Sequence, residues 1–80
     1  MYDNNIYILY SCDNLKSPDT MSIIGIFSSF ENLKVAIKDE LQEAKMYLNK
    51  NINLIKDHHE LNQWLEYGHI EAYQPNRRIT

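Results

Sequence analysis

The segment FENLKVAIKDELQEAKMYLN, residues 30–49, decides how the chain folds. Its apolar residues recur at spacings of three and four, which places them in one stripe along an α-helix. The stripe consists of Phe30, Leu33, Ile37, Leu41, Ala44 and Leu48. The pattern predicts an amphipathic helix of about five turns, roughly 30 Å long. Ser28 and Glu31 predict a capping box at its start, with Ser29 as the alternative N-cap.

Three short segments around this helix have the composition of β-strands. Ile6–Tyr10 is rich in β-branched and aromatic residues and apolar on both faces, which predicts a central strand. Met21–Phe27 predicts a second strand, joined to the first by the polar loop Ser11–Thr20. In His69–Gln74 apolar and polar residues alternate, which is typical of a half-buried edge strand.

A second, shorter helix is predicted between the long helix and the last strand. Asn49–Asn51 should end the long helix, and residues 52–56 then form an extended link or a very short strand. Asp57 and Glu60 repeat the capping pattern, and Gly68 is the expected C′ residue. The apolar face of this helix is formed by Leu61, Trp64 and Leu65.

The element order β-β-α-α-β predicts a single α+β domain over residues 1–80. Its two- to three-stranded, mainly antiparallel sheet would carry the long and the short helix on one face. Two consecutive helices would return the chain to its starting end. The third strand would then lie either antiparallel beside the second strand or parallel beside the first, and the sequence leaves both orders open.

Composition narrows the range of functions. The 80 residues are 44% hydrophobic with a net charge of −3, which is typical of a globular domain and argues against a nucleic-acid binder with a basic face. A single cysteine excludes an intramolecular disulfide. Residues 1–5 lack the basic and apolar regions of a signal peptide, and no apolar run is long enough to span a membrane. We therefore expect a cytoplasmic protein.

The polar loop after the first strand is the first candidate site. A thiol, a carboxylate, an amine and hydroxyl groups follow one another closely there and could hold a ligand or a partner. The candidate residues are Tyr10, Cys12, Asp13, Lys16 and Ser17, together with the basic doublet Arg77 and Arg78. A Cys12-dependent enzyme would need a base or positive field beside the thiol. The plain alternative is a solvated loop, and we assign no catalytic residue and no cofactor.

Histidines and cations suggest two further kinds of site. His58 and His59 are adjacent and His69 is distant, so the i, i+4 spacing of helical zinc sites is absent and no metal site is predicted. Backbone N–H groups at the predicted helix starts near Ser29 and His58 could bind an anion such as a nucleotide phosphate. The available cations are Lys16, Lys56, Arg77 and Arg78, and the plain alternative is scattered solvated charge.

The far side of the long helix is the candidate interface. Val35, Asp39, Gln42 and Met46 lie opposite the core stripe on the helical wheel, and tyrosines add amphipathic surface. The interface set is Tyr7, Val35, Asp39, Gln42, Met46 and Tyr73. Helices can cover only one face of a three-stranded sheet, so apolar residues on the other face also await a partner. We expect a homo-oligomer or a complex with another protein, and a charge at Val35 or Met46 should leave the fold intact.

The opening of the chain resembles a group of small bacteriophage and prophage proteins. The resemblance is carried by Tyr7-Ile8-Leu9-Tyr10-Ser11-Cys12-Asp13, by Lys16-Ser17, by Ser22–Phe27 and by Tyr67-Gly68-His69-Ile70-Glu71. Leu15 stands where an aromatic residue often precedes the lysine. The resemblance implies a phage-encoded accessory protein that binds a component of the bacterial host, and it implies no catalytic residues.

Three hypotheses about function follow, from different classes. The leading hypothesis is a non-enzymatic binding protein of phage type, an inhibitor of a bacterial anti-phage defence system in the host cytoplasm, comparable to an anti-CRISPR protein. The alternative is a protein that sequesters a nucleotide signal or another small anion. A Cys12-dependent enzyme is the third hypothesis, and it predicts selective alkylation of Cys12 at neutral pH.

Overall fold

A three-stranded antiparallel sheet with two helices on one face forms the body of the molecule, and the predicted α+β class is confirmed. The computed structural model describes residues 5–74 of the chain. The elements are β1 (Ile6–Ser11), β2 (Ser22–Phe27), α1 (Phe30–Gln42), β3 (Tyr47–Leu48), α2 (His58–Trp64), β4 (Leu65–Glu66) and β5 (Gly68–Tyr73). Short 3-10 turns cover Pro18–Thr20 and Ile52–Leu54. Within residues 5–74, no helix has the length and apolar character needed to cross a membrane.

The strand order is β2-β1-β5, so the last strand lies beside the first, which is one of the two positions left open by the sequence, but its direction is antiparallel and not parallel. The last strand lies antiparallel beside the first, with Ile6 opposite Tyr73 and Ser11 opposite Gly68. The first strand is central and the last is at an edge, as predicted. Because β2 and β5 are both antiparallel to β1, they run parallel to each other with β1 between them.

The link between the two helices explains why the last strand is antiparallel to the first. After α1 the chain has reached the Gly68 end of the sheet, where a Cβ atom on Gly68 would lie 2.7 Å from the sulfur of Met46. By Lys56 and Asp57 it is back at the opposite end, where these residues line a pocket with Tyr7. The link therefore crosses the sheet as well. Between β2 and β5 the chain therefore crosses the sheet three times, in α1, in the link and in α2. Two crossings would have made β5 parallel to β1, and the third makes it antiparallel.

A β-bulge changes which residues of β2 share a face. Leu9 pairs with Gly25 and Tyr10 pairs with Ile23, so Ile24 is the extra residue between them. Simple alternation along the second strand would place Ile23 on one face with Phe27 and Ile26 on the other. The bulge shifts this register, and Ile23 and Ile26 lie on the same face, opposite Tyr10 and Ile8.

Helix α1 begins as the alternative cap predicted and ends earlier than the apolar stripe implied. The hydroxyl of Ser29, rather than that of Ser28, accepts a hydrogen bond of 3.1 Å from Asn32 N. Leu33 and Ile37 are fully buried, and Leu41 packs against the same core. The helix stops at Gln42 and does not continue to residue 49.

The early end is a Schellman motif. Ala44 takes the left-handed conformation with φ 59°, its N–H donates to Leu41 O, and Lys45 N donates to Glu40 O. These are the two backbone bonds that define the motif, which usually has glycine where this chain has Ala44. No glycine marks the position, so the sequence pattern did not reveal it.

The early end changes the position of Met46. The chain turns inward after Ala44, and Met46 is buried to 1% exposure in the core instead of lying on the far side of a helix. Tyr47 and Leu48 then pair with Glu66 and Leu65 in a two-stranded ribbon. Ala44 and Leu48 therefore do not belong to a helical stripe, and a charge at Met46 would enter the core.

Helix α2 is capped as predicted but ends without glycine. Asp57 Oδ1 accepts a hydrogen bond of 2.8 Å from Glu60 N. The helix ends at Trp64, and Tyr67, with φ 66°, takes the left-handed conformation before β5. Gly68 is the first residue of β5 and not the C′ residue of the helix. A side chain there would collide with Leu65, whose Cδ2 would lie 2.7 Å from the added Cβ.

Candidate functional site

The face of the central sheet that the helices leave uncovered is the main candidate site. Cross-strand pairs bring Ile8 beside Ile26 and Glu71, and bring Tyr10 beside Ile23 and His69. Ile23 is 60% exposed and Ile26 is 63% exposed. We call this surface the outer sheet face and define it as Ile8, Tyr10, Ile23, Ile26, Glu71 and Tyr73.

A hydrogen-bond network occupies the β1–β5 half of the outer sheet face. The Tyr10 hydroxyl donates to Glu71 Oε1 at 2.6 Å. This bond to a carboxylate, with smaller contributions from burial and the negative charge, raises the pKa of Tyr10 to about 12. A hydrogen bond to the same carboxylate raises the pKa of Tyr73. Glu71 is thus bonded to the Tyr10 phenol in a largely apolar surface.

His69 lies beside this network. Its ring is 6.1 Å from the ring of Tyr10, centroid to centroid. Its Nδ1 atom is buried and has no hydrogen-bond partner in the described part of the chain. The outer sheet face therefore combines exposed isoleucines with aromatic rings that each carry a polar group, a composition typical of protein recognition.

The polar loop predicted as a ligand site is held rigid by its own hydrogen bonds. Asp13 Oδ1 accepts from Leu15 N at 3.1 Å and from Ser17 N at 2.9 Å. The bond from Ser17 is the main reason that the pKa of Asp13 lies below its usual value. Asp13 N donates to the hydroxyl of Thr20. Asp13 and Ser17 therefore serve to shape the loop.

Lys16 connects this loop to α2. Its ammonium donates to Asn62 O at 2.8 Å and to Asn62 Oδ1 at 3.3 Å. Lys16 has a left-handed backbone with φ 55°, and burial lowers the pKa of its amine. The same Asn62 Oδ1 accepts from Ile70 N of β5. One side-chain amide thus joins the loop, α2 and the sheet.

Cys12 sits where β1 leaves the sheet. Its N–H donates to Tyr67 O at 3.1 Å, and its side chain is partly buried. Burial raises the pKa of the thiol, although the nearby Lys16 acts in the opposite direction. A nucleophilic cysteine needs a lowered pKa, so this environment does not favour the Cys12-dependent enzyme. No group of three potential metal ligands occurs within residues 5–74.

A pocket of about 290 Å³ lies between the starts of the two helices. Its walls are formed by Asn5, Tyr7, Phe30, Lys56, Asp57 and His58. The ring of Tyr7 lies 5.9 Å from that of Phe30 and 5.5 Å from that of His58, centroid to centroid. Lys34 Nζ is 5.5 Å from the centroid of the Phe30 ring. Aromatic surface and cations therefore meet near the start of α1.

The structure separates the residues that the sequence grouped. Tyr10 and Tyr73 share the outer sheet face, whereas Cys12, Asp13, Lys16 and Ser17 belong to the loop at one end of the sheet. Arg77 and Arg78 lie outside the described residues. In the predicted interface set, Val35, Asp39 and Gln42 are exposed on α1, but Tyr7 and Met46 are buried in the core and cannot contact a partner there.

Sequence reasoning missed several residues that matter at these sites. Ile23, Ile26 and Glu71 complete the outer sheet face, and Asn62 anchors the loop. The apolar character of both hairpin faces was the signal for the isoleucines. No local pattern marks Asn62, whose two partners are distant in sequence. Comparison of the chain with protein-family models, curated proteins and solved structures gives no match.

Proposed function

We propose that this chain is a non-enzymatic binding protein that holds a protein partner on the outer sheet face. One observation carries the proposal: exposed Ile23, Ile26 and Tyr73 lie on the sheet face opposite the helices. A contiguous apolar surface in water is costly and usually marks an interface. The bound phenols add the rigid, amphipathic contact area that interfaces favour.

The network at Glu71 suggests the chemistry of the partner. Its carboxylate is the charged group of the outer sheet face, and the Tyr10 hydroxyl holds it in position. A partner that buries this surface must pair the charge, because an unpaired buried carboxylate is strongly unfavourable. We therefore expect an apolar partner surface with a lysine or arginine at the point that meets Glu71.

The biological role in this proposal is that of a phage-type accessory protein that inhibits a bacterial anti-phage defence system. It is supported by the opening motif around Ser11-Cys12-Asp13 and by the binding surface. The protein would act in the bacterial cytoplasm and as a small homo-oligomer. Its function would consist of occupying a surface of the host component.

A matched set of variants tests the outer sheet face. Tagged wild-type protein, Tyr73→Ala and Val35→Ala are used to capture proteins from a bacterial lysate. Val35 is 57% exposed on α1, away from the sheet, and serves as the control. We expect a partner retained by wild type and by Val35→Ala but lost with Tyr73→Ala. Equal capture by all three variants would refute the assignment of the surface.

The inhibitory role needs a test in cells. The chain is expressed in a strain that carries an active defence system, and phage plaques are counted. Wild type and Val35→Ala should both restore plaque formation, and Tyr73→Ala should not. Unchanged plaque numbers across a panel of defence systems would remove the inhibitory role while leaving the binding surface to the capture experiment.

The pocket between the helix starts favours a second candidate function, the sequestration of a nucleotide or another small anion. Its rings at Phe30 and His58 offer stacking surface, and Lys56 offers a cation. Lys16, expected to contribute, is bonded to Asn62 instead. Calorimetry with mononucleotides and cyclic nucleotides tests this function. Binding that is lost in Lys56→Ala but kept in Lys38→Ala would support it, and absence of heat with every nucleotide would exclude it.

A further inference from the structure

β2 forms an open edge of the central sheet. In the order β2-β1-β5 it pairs with β1 on one side only. Of the backbone hydrogen bonds that join loops, turns and caps in residues 5–74, none involves residues 22–27. An edge strand presents unpaired N–H and C=O groups along its free side, which makes it a template for another strand.

The opposite edge, β5, is closed by a side chain. Asn62 Oδ1 of α2 accepts a hydrogen bond of 3.1 Å from Ile70 N, a backbone donor that a further strand would need. β5 also carries the charge of Glu71, and charged residues on an edge strand oppose pairing. The two edges of the sheet therefore differ: the β5 edge has a backbone donor already bonded to Asn62, whereas the β2 edge can pair with another strand.

β2 lacks the charged and proline residues that usually protect an edge, and its one protective feature is the bulge at Ile24. Residues 20–30 contain no charged residue and no proline. Ile23, Ile24 and Ile26 are all exposed. Natural proteins place lysine, proline or inward-pointing charges on such edges to prevent pairing. The bulge at Ile24 twists the beginning of the strand and leaves residues 25–27 as its regular part.

We infer that two copies of this chain pair through β2 in antiparallel fashion about a two-fold axis that passes near Ile26. The result is a continuous six-stranded sheet with the order β5-β1-β2-β2-β1-β5. At the axis Ile26 faces its own copy on the outer side of the sheet, and Gly25 lies opposite the copy's Phe27. The inference specifies the self-association included in the proposed function, and it rests on that function only for its biological purpose.

The distribution of charge favours a second copy of the chain as the partner of the β2 edge. Each chain carries a net charge of −3, so two copies repel each other except where their surfaces are neutral. Residues 20–30 form such a neutral surface. A two-fold axis at β2 brings this surface of one copy into contact with the same surface of the other copy. Glu71 lies two strands away from the new contact, at about 10 Å from β2. An uncharged strand is thus matched with an uncharged strand, and no like charges meet at the contact.

Pairing would also enlarge the binding surface. A three-stranded sheet offers less area than the roughly 800 Å² that each partner buries in a typical stable complex. Joining two outer sheet faces edge to edge doubles the area in one plane. The contact between the copies is itself small, and we therefore expect a weak dimer that dissociates at about 1 µM and forms at about 200 µM.

Sedimentation over this concentration range tests the pairing. Wild type and the control Val35→Lys should shift from monomer to dimer as the concentration rises. Ile26→Lys should remain monomeric at every concentration, and its circular dichroism and melting temperature should match those of wild type because the side chain is exposed. A wild type that stays monomeric throughout, or an Ile26→Lys that dimerises like wild type, would overturn the inference.

Cross-linking tests the geometry by a second route that does not need a lysine on the strand. In a Cys12→Ser background, Ile26→Cys should form a covalent dimer under mild oxidation at high concentration, because directly opposed residues bring their Cβ atoms within about 5 Å. Val35→Cys is the control and should not cross-link. A dimer by sedimentation without the Ile26→Cys cross-link would place the contact elsewhere and refute the β2 pairing.

The two proposals can fail independently. Tyr73→Ala changes the β5 side of the outer sheet face and should leave dimerisation unchanged. Because Ile26 belongs to both surfaces, partner capture is measured at about 1 µM, where we expect the chain to be monomeric. Loss of capture there with Tyr73→Ala but not with Val35→Ala would support the outer sheet face and show that partner binding does not need the dimer. Dimerisation of wild type without any captured partner would support the pairing and count against the proposed partner.

Discussion

The Tyr10 hydroxyl donates a 2.6 Å hydrogen bond to Glu71 across two neighbouring strands. These residues belong to β1 and β5, which are separated by most of the chain and meet only in the sheet. The bond fixes a carboxylate on the β5 side of the outer sheet face and makes the proton of Tyr10 harder to remove. It therefore connects the stability of the sheet with the charge of the outer sheet face.

We expect this bond to give the protein a stability that is lost in strong alkali. The pKa of Tyr10 is raised from 10.0 to about 12, so the folded state favours the protonated phenol. The stabilisation is fully present below pH 10 and disappears as the pH rises towards 12. Urea unfolding at pH 8 to 11 should show a steeper fall in the free energy of unfolding for wild type than for Tyr10→Phe.

Tyr47→Phe is the control for this prediction. Tyr47 is exposed and its ring contacts Tyr67 at 5.6 Å, away from Glu71. This variant should keep the alkaline fall of wild type. Identical alkaline profiles for wild type and Tyr10→Phe would show that the bond to Glu71 does not contribute to stability in solution.

The Asn62 side chain should be among the most sensitive polar positions of the fold. Its Oδ1 accepts from Lys16 and from Ile70 N, so Asn62→Ala leaves a backbone donor and part of the ammonium bonding unpaired. We expect a loss of about 2–3 kcal/mol in the free energy of unfolding, measured by urea denaturation at neutral pH. Asn53→Ala, at an exposed position, should change it by less than about 0.5 kcal/mol.

A double-mutant cycle separates the two partners of Asn62. Lys16→Met alone removes the ammonium, and we expect it to cost about 1 kcal/mol. If Lys16 acts through Asn62, the double variant should be less destabilised than the sum of the single variants, by about 0.5–1 kcal/mol. Strict additivity would mean that the ammonium acts through its bond to the backbone carbonyl of Asn62, which Asn62→Ala retains.

Local patterns in the sequence identified most elements of the fold, because the information lies within a few residues. Asp57 with Glu60 marked the start of α2, and the apolar character of Ile6–Tyr10 on both faces marked a central strand. Ser29 was recognised only as an alternative cap. These features depend on backbone geometry that neighbouring residues determine.

The errors arose where distant contacts decide the structure. An apolar stripe that continues to Leu48 predicts a longer helix, but the helix ends at Gln42 and Met46 is buried in the core beside Gly68. The strand order depends on a link that crosses the sheet, and the residues of the link show no pattern for it. The outer sheet face could be anticipated from the apolar hairpin, but its isoleucines could not be grouped without the bulge at Ile24.

Truncation of Met46 should destabilise the protein far more than truncation of Val35, although the helical wheel places the two residues on the same side of the predicted helix. Met46 is 1% exposed and Val35 is 57% exposed. We expect Met46→Ala to lower the free energy of unfolding by about 2–4 kcal/mol because it opens a cavity in the core. Val35→Ala should change it by less than about 0.5 kcal/mol. If both variants had equal, small effects in urea denaturation, Met46 would have to be exposed in solution, which would contradict the early end of α1.

Replacing Ala44 by glycine tests the end of α1 directly. In the Schellman motif Ala44 has φ 59°, a conformation that costs a residue with a Cβ atom about 1 kcal/mol and costs glycine little. Ala44→Gly should therefore raise the free energy of unfolding by about 0.5–1 kcal/mol. Ala36→Gly, inside α1, is the matched control and should lower it by about 1 kcal/mol or more. In a helix that continued to residue 49, both substitutions would destabilise the protein, so thermal or urea unfolding that shows the same sign for the two variants would refute the observed helix end.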